Sequence, residues 1–146
     1  MNTDSSKEFE NISKLSGSDL VSDYALLAKR YFKFLIDDFK YKLVKDTRES
    51  MSHVIEYQGN NRKIRLNFDL RDNFFYFRIY NGLDVKYSDT DRENIKVFPD
   101  LIKKFNLPLK LKELQPDKKQ FDLALKKNAE LLKNYGKDIL TGKEWF

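Results

Sequence analysis

Residues 51–80 carry the feature that most constrains how this chain can fold. They are typical of three consecutive antiparallel strands separated by two short turns. The first turn contains Asn60-Asn61 and the second Asp72-Asn73, and both residue types tolerate the positive φ of tight hairpin turns. If each pair forms a two-residue loop, the apolar positions of all three strands lie on one side of the sheet.

The two loops determine which residues are expected to face each other across the strands. In the first hairpin the predicted pairs are Tyr57 with Ile64, Ile55 with Leu66, His53 with Phe68, and Met51 with Leu70. In the second hairpin they are Leu70 with Phe75, Phe68 with Phe77, and Leu66 with Ile79. A slip of one residue would turn a whole apolar set to the wrong face, so this agreement favours a sheet with one buried face.

The opposite side of the same three strands is predicted to be aromatic and charged. Its members are Val54, Glu56, Lys63, Arg65, Asn67, Asp69, Phe74, Tyr76, Arg78 and Tyr80. An antiparallel sheet commonly leaves one face in water. We therefore predict an apolar inner face covered by helices and an outer face that is exposed to solvent.

Helical periodicity flanks the predicted sheet on both sides. Residues 19–39 repeat apolar side chains at helical spacing, and a longer helix is predicted from Asp117 to about Leu140, with Gly136 as a weak point or early stop. Three smaller elements are also predicted: a strand at 41–46 whose register the sequence does not specify, an edge strand at 85–87, and a short helix at 99–105.

Together these elements predict an α+β protein. The expected architecture is an antiparallel β-meander of three to five strands, packed on one face by an N-terminal helix and a long C-terminal helix. The length of 146 residues fits a single domain at 19–146. Residues 1–18 are polar and are expected to form a disordered lead-in.

The absence of cysteine excludes disulfides, a thiol nucleophile and a cysteine-based zinc site, and it suits a reducing cytoplasm. No segment reaches the apolar length of a membrane span, so no membrane association is expected.

The sequence shows no catalytic, metal or nucleotide signature, so we expect no catalytic residue, no metal site, no cofactor and no enzymatic activity. His53 is the only histidine. Its register on the apolar face opposite Phe68 favours a hydrogen-bonded core residue over a general base. Residues 89–93 mimic the start of a calcium loop but lack its glycine and its later glutamate, so a solvated loop is expected there.

The outer face is the surface on which the sequence places function. The predicted interface consists of Arg65, Phe74, Tyr76, Arg78 and Tyr80. Tyrosine and arginine are enriched at the residues that contribute most to protein–protein binding, so the leading hypothesis is a non-enzymatic protein that binds and occludes an unidentified protein partner.

The alternative is a nucleic-acid-binding module in which bases stack on the aromatic side chains. Residues 71–80 faintly resemble the aromatic strand of an RNA-recognition motif, although that motif's glycine is missing and its strand order differs. The net charge is +5, and residues 100–146 hold 11 lysines against 7 acidic residues. Dispersed lysines of this kind usually form a solvated face.

The element order of helix, antiparallel meander and lysine-rich helix ends in the sequence YGKDILTG at residues 135–142. This order resembles small uncharacterised bacterial α+β proteins, some of which are immunity proteins that neutralise a toxin by binding it. The resemblance covers residues 19–146. It implies a cytoplasmic bacterial binding protein and carries over no functional residues.

Overall fold

The computed structural model describes residues 20–71, 74–109 and 121–146, with only the backbone described at Phe74 and Phe121. The predicted lead-in at 1–18, the turn residues at 72–73 and the predicted start of the last helix at Asp117 lie outside these residues.

The described residues form an α+β fold built on an antiparallel five-stranded meander in which each strand pairs with its sequence neighbours. The strands are β1 (Lys42–Glu49), β2 (Ser52–Gly59), β3 (Arg62–Asp69), β4 (Phe74–Tyr80) and β5 (Ile95–Lys96). The helices are α1 (Leu20–Tyr31), α2 (Phe34–Asp37), α3 (Phe98–Phe105), α4 (Phe121–Tyr135) and α5 (Lys137–Leu140). This confirms the predicted α+β class, with an N-terminal helix and a C-terminal helix packed on an antiparallel sheet.

The register predicted for the β2–β3 hairpin is confirmed. Three of its pairs are Tyr57 with Ile64, Ile55 with Leu66, and His53 with Phe68. The loop is Asn60-Asn61, and both residues have positive φ, at 49° and 60°. Two consecutive positive φ angles define the turn whose twist matches a tight hairpin, and asparagine tolerates that conformation better than most residues.

The register predicted for the β3–β4 hairpin is wrong by two residues. Phe68 pairs with Phe75, Leu66 with Phe77, and Ile64 with Ile79. β3 ends at Asp69 and β4 begins at Phe74. Oδ1 of Asp69 accepts the backbone N–H of Arg71 (2.9 Å), a hydrogen bond that favours a turn directly after β3. A shift of two residues leaves every side chain on its original face, so the predicted inner and outer faces both remain.

The inner face of the sheet packs against α1, α3 and α4 in one apolar core. Aromatic contacts join the layers: Tyr24 of α1 meets Phe68 edge-on at 6.2 Å, and Phe77 lies 5.9 Å from Phe32 and 4.1 Å from Phe98. Because aromatic side chains bury large areas, these contacts hold α1, Phe32 after it and the start of α3 against the inner face of the sheet.

The helix predicted over 19–39 is broken into α1 and α2 at Phe32-Lys33. Phe32, Phe34 and Leu35 are all buried. Adjacent positions on a regular helix point about 100° apart, so one uninterrupted helix directs these three side chains less well to a single core. The last helix is interrupted at Gly136, the predicted weak point, which separates α4 from α5.

The edge strand predicted at 85–87 is wrong; the fifth strand is Ile95–Lys96. Residues 82–87 form a loop over the outer face instead. Nζ of Lys63 donates to the carbonyl oxygen of Val85 (2.6 Å), which holds the loop against the sheet.

A buried arginine attaches the C-terminal end to the β2–β3 hairpin. Arg62 is 4% exposed. It donates to the carbonyl oxygens of Ile139 (3.0 Å) and Glu144 (2.9 Å) and to the side-chain oxygen of Asn81 (2.8 Å). Its guanidinium also lies 4.9 Å from the ring centroid of Trp145. Among the described segments, none of the helices has the length and apolar character that crossing a bilayer requires.

Candidate functional site

The outer face is organised by a row of charged residues that crosses four strands. Lys45 of β1 pairs with Glu56 of β2, Glu56 with Arg65 of β3, and Arg65 with Arg78 of β4. Nη1 of Arg65 donates to Oε1 of Glu56 (3.1 Å), so this carboxylate is already engaged. Like charges directly opposite each other destabilise a sheet, which makes the Arg65–Arg78 pair an unfavourable arrangement in the free protein.

Arg78 is held between two tyrosine rings. Its guanidinium carbon lies 3.6 Å from the ring centroid of Tyr76 and 4.0 Å from that of Tyr87. Cation–π contacts of this kind attract the charge to the ring faces and restrict the long side chain to few rotamers. None of the carboxylates in the described residues forms an ion pair with Arg78. Apart from its side-chain hydrogen bond with Tyr80, the N–H groups at the edge of its guanidinium are available to an acceptor from outside.

The clamped arginine contributes to the wall of a cleft of about 480 Å³. The cleft lies between β4, the loop after it and the start of α3. Its lining includes Arg78, Tyr87, Arg92, Lys96, Asp89 and Asp100. Asp100 is already engaged, because its Oδ2 accepts the backbone N–H of Val97 (2.8 Å) at the start of α3.

The structure separates the five predicted interface residues. It brings Tyr76 and Arg78 together and places Arg65 directly opposite Arg78. Tyr80 is only 2% exposed. Nζ of Lys63, which bonds to the carbonyl oxygen of Val85 in the loop, lies 4.5 Å from its ring centroid. Burial raises the pKa of Tyr80, and Arg78 partly offsets that rise. The side chain of Phe74 lies outside the described part of the structure.

At β2 the outer face is less exposed to solvent than predicted, because Val54 and Glu56 are both buried. Long neighbouring side chains account for part of this, because Arg65 and Gln58 both bond to the carboxylate of Glu56. A charged carboxylate held by two donors is tolerated at low exposure.

Sequence reasoning missed Tyr87 as part of the site. It was assigned to an edge strand, whereas it lies in the loop, is 54% exposed and packs on Arg78. No local pattern marks it, since the contact depends on how the loop returns over the sheet.

His53 lies where the sequence placed it, on the inner face. It is 8% exposed and stacks on Phe68 with ring centroids 5.9 Å apart. Its Nε2 contacts Oδ1 of Asp46 at 2.6 Å, and Oδ2 of Asp46 accepts from Nζ of Lys29 (2.8 Å). The predicted hydrogen-bonded core position is thus confirmed, and the bonding partner on β1 is new information from the structure.

In the acidic run at 89–93, the carboxylate of Asp91 bonds to the backbone of its own loop. Oδ1 of Asp91 accepts the backbone N–H of Glu93 (3.1 Å) and of Asn94 (2.9 Å). The hydrogen bonds from Asn94 and Glu93 lower the pKa of Asp91 although desolvation opposes them. Within the described ranges, no three histidine, aspartate or glutamate side chains are grouped so that they could hold a metal ion.

Comparison with known proteins gives no match: no protein-family model, no curated protein sequence and no solved structure is significantly similar to this chain.

Proposed function

We propose that this chain is a non-enzymatic binding protein that holds and occludes a protein partner on the outer face of its sheet. The contact centre is Arg78 with Tyr76, Tyr87 and the neighbouring Arg65. In the specific form implied by its resemblance to immunity proteins, it works in the bacterial cytoplasm and blocks the partner's working surface stoichiometrically.

The observation that supports this proposal is the clamp of Arg78 between two tyrosines, at 3.6 and 4.0 Å, in the wall of a cleft. A guanidinium held this way has already lost much of its rotamer freedom, so a partner that bonds to it loses less entropy on binding. Tyrosine and arginine packed together in a recess are the composition typical of an interface hot spot.

The charge of the row favours an acidic partner. The row contains three cations, Lys45, Arg65 and Arg78, and one carboxylate, Glu56, which Arg65 already engages. A partner carboxylate placed at Arg78 would relieve the repulsion between the two arginines and gain a bidentate pair, for which the guanidinium edge is suited.

The nucleic-acid alternative is weaker because its stacking faces are engaged. Tyr76 and Tyr87 both direct a ring face towards Arg78, and Tyr80 is buried. Base stacking needs free aromatic faces along a groove, and the three tyrosines described on the outer face offer few of them.

The test compares capture by the wild type with capture by an R78A/Y76A double variant. Each protein is immobilised and incubated with an extract of the source organism, and the captured proteins are quantified by mass spectrometry. We expect a partner that the wild type enriches and the double variant loses. The K137A variant, which removes an equal charge from exposed Lys137 on α5, should retain it.

The captured protein is then purified and titrated by calorimetry against the same three proteins. Equal affinity of the wild type and the double variant for that partner contradicts the proposal, provided that circular dichroism shows both to be folded. Retardation of single-stranded RNA or DNA that disappears with rising salt would instead support phosphate binding.

A further inference from the structure

The first strand presents an open edge. All eight residues of β1 are exposed, and among the described elements β1 pairs only with β2. An edge strand carries a row of backbone N–H and C=O groups that can pair with a further strand. Three of the large apolar side chains that the structure leaves exposed lie on or beside this strand: Leu43, Val44 and Met51.

Two residues direct their backbone groups away from the sheet. Glu49 pairs with Ser52 across a two-residue turn, so β1 bonds to β2 through alternate residues beginning at Glu49. The intervening residues, Asp46 and Arg48, therefore turn their N–H and C=O outward. Their side chains lie on the inner face, where Arg48 donates to Oγ of Ser22 (3.2 Å).

The sequence of β1 is complementary to itself when the strand is reversed. We propose that two copies of this chain pair antiparallel along β1 about a two-fold axis at Thr47, forming one ten-stranded sheet. In this register Lys45 lies opposite Glu49 of the second copy, and Asp46 lies opposite Arg48 of the second copy. Lys45 and Glu49 both lie on the outer face, and Asp46 and Arg48 both lie on the inner face. Residues that lie opposite each other in an antiparallel ladder must be on the same face.

Other registers of the pairing between the two β1 strands are disfavoured by side-chain orientation or by charge. A shift of one residue would place outer side chains of one copy beside inner side chains of the other. Centring the axis on Asp46 places Asp46 opposite Asp46, and centring it on Arg48 places Arg48 opposite Arg48. Both arrangements oppose like charges, whereas the Thr47 axis opposes only unlike ones.

The same register accounts for the exposed apolar side chains. It brings Leu43 and Val44 beside the turn of the second copy, where Met51 lies. These three side chains are 38%, 48% and 41% exposed in the single chain, so pairing removes apolar surface from water at both ends of the contact.

The pair on the outer face, Lys45 with Glu49 of the second copy, determines the specificity of the dimer contact. Asp46 already binds Lys29 and His53, and Arg48 already donates to Ser22 and to the carbonyl oxygen of Ser50. Lys45 and Glu49 form no side-chain ion pair within the described residues. A single pair of short strands is a small contact, below about 1,200 Å², so the dimer is weak and depends on concentration.

The pairing does not rest on the proposed partner surface, although it shares Lys45 with the charged row, and it would duplicate that surface. Both outer faces lie on the same side of the joined sheet, and the two β4 strands are separated by seven strand spacings, roughly 34 Å.

Sedimentation equilibrium over a range of concentrations tests the charge pattern. For the wild type we expect the weight-average mass to rise towards twice that of the monomer. K45E and E49K each place like charges opposite and should remain monomeric. The K45E/E49K double variant exchanges the two charges and should dimerise again. A wild type that stays monomeric at its highest soluble concentration, or a dimer that ignores these changes, overturns the proposal.

Cross-linking tests the register. The chain contains no cysteine, so each variant carries a single thiol. Under mild oxidation T47C should form a disulfide-linked dimer, because the two-fold axis brings the two Cβ atoms together. K45C is the matched control on the same strand and face, since its two copies lie about 13 Å apart along the strand direction. Equal cross-linking of the two variants overturns the register, and circular dichroism confirms that both are folded.

Discussion

Nε2 of His53 lies 2.6 Å from Oδ1 of Asp46, which joins the second strand to the edge strand. Lys29 of α1 binds the other oxygen of the same carboxylate at 2.8 Å. One aspartate thus connects a helix, an edge strand and a buried imidazole. The residues of β1 are exposed, so this side-chain connection attaches the edge strand to the core in addition to its backbone hydrogen bonds with β2.

Acid should weaken this connection. Desolvation alone would raise the pKa of Asp46, but the hydrogen bonds and charges of Lys29 and His53 outweigh it and lower the pKa. A lowered pKa contributes stability above the unfolded value, about 4, and this stability is lost as pH falls through the folded value. D46N should therefore flatten the loss of stability below about pH 4. Urea unfolding at stepped pH measures it, with D37N on exposed Asp37 as the control; an equally steep loss in D46N contradicts the assignment.

Arg62 should be among the polar residues to which stability is most sensitive. Its guanidinium donates to two C-terminal carbonyl groups and to Asn81 while nearly fully buried. R62M keeps the length of the side chain but leaves these acceptors without their donor, so we expect a loss of about 2–4 kcal/mol in the free energy of unfolding. Chemical denaturation measures it. R71M, at an exposed arginine, should change stability by less than about 0.5 kcal/mol.

The Asn60-Asn61 turn predicts two opposite effects at one position. Asn61 has φ of 60°, which glycine adopts without strain and alanine does not. N61G should leave stability unchanged or raise it by a few tenths of a kcal/mol, and N61A should lower it by about 1 kcal/mol. Thermal melts of the two variants, recorded side by side, check the order. The reverse order would argue against this turn.

The Tyr87 side of the clamp should influence binding more than folding. Tyr87 is 54% exposed, and its described contact in the site is with Arg78. Y87A should change the melting temperature little, because exposed cation–π contacts contribute about 0.5–1 kcal/mol. It should weaken partner binding by freeing Arg78, whereas Y87F keeps the ring and should retain most of the affinity. Calorimetry compares the affinities of the two variants for the captured partner. Equal loss of affinity in Y87A and Y87F would contradict a role for the aromatic ring in binding.

The parts of the fold that depend on neighbouring residues could be predicted from the sequence. The β2–β3 register follows from turn residues that lie between the strands they join, and His53 was placed correctly by the same alternation. The β3–β4 register was wrong because β3 ends at Asp69, where the side chain accepts the backbone N–H of Arg71, and the connection to β4 is longer than the two residues assumed. The face assignment tolerated that error, since a shift of two residues preserves the alternation.

The sequence predicted the strand residues of the candidate site but neither the loop residue Tyr87 nor the burial of Tyr80. Arg65 of β3 and Tyr76 and Arg78 of β4 lie on one face of the sheet, and the alternation of side chains along each strand assigned them to it. Tyr87 joins them through a loop that returns over the sheet, and Tyr80 is buried with Lys63, which bonds to the same loop, over its ring. Neither outcome has a local signal.

By itself the sequence determined the meander and its two faces, because alternation and turn chemistry act between residues that are close along the chain. Only the tertiary structure decided which outer residues reach solvent, which tyrosines hold Arg78 and which carboxylate meets His53. Those relationships join elements far apart in sequence, and they are set by how the helices and the 82–87 loop pack on the sheet, which no local pattern encodes.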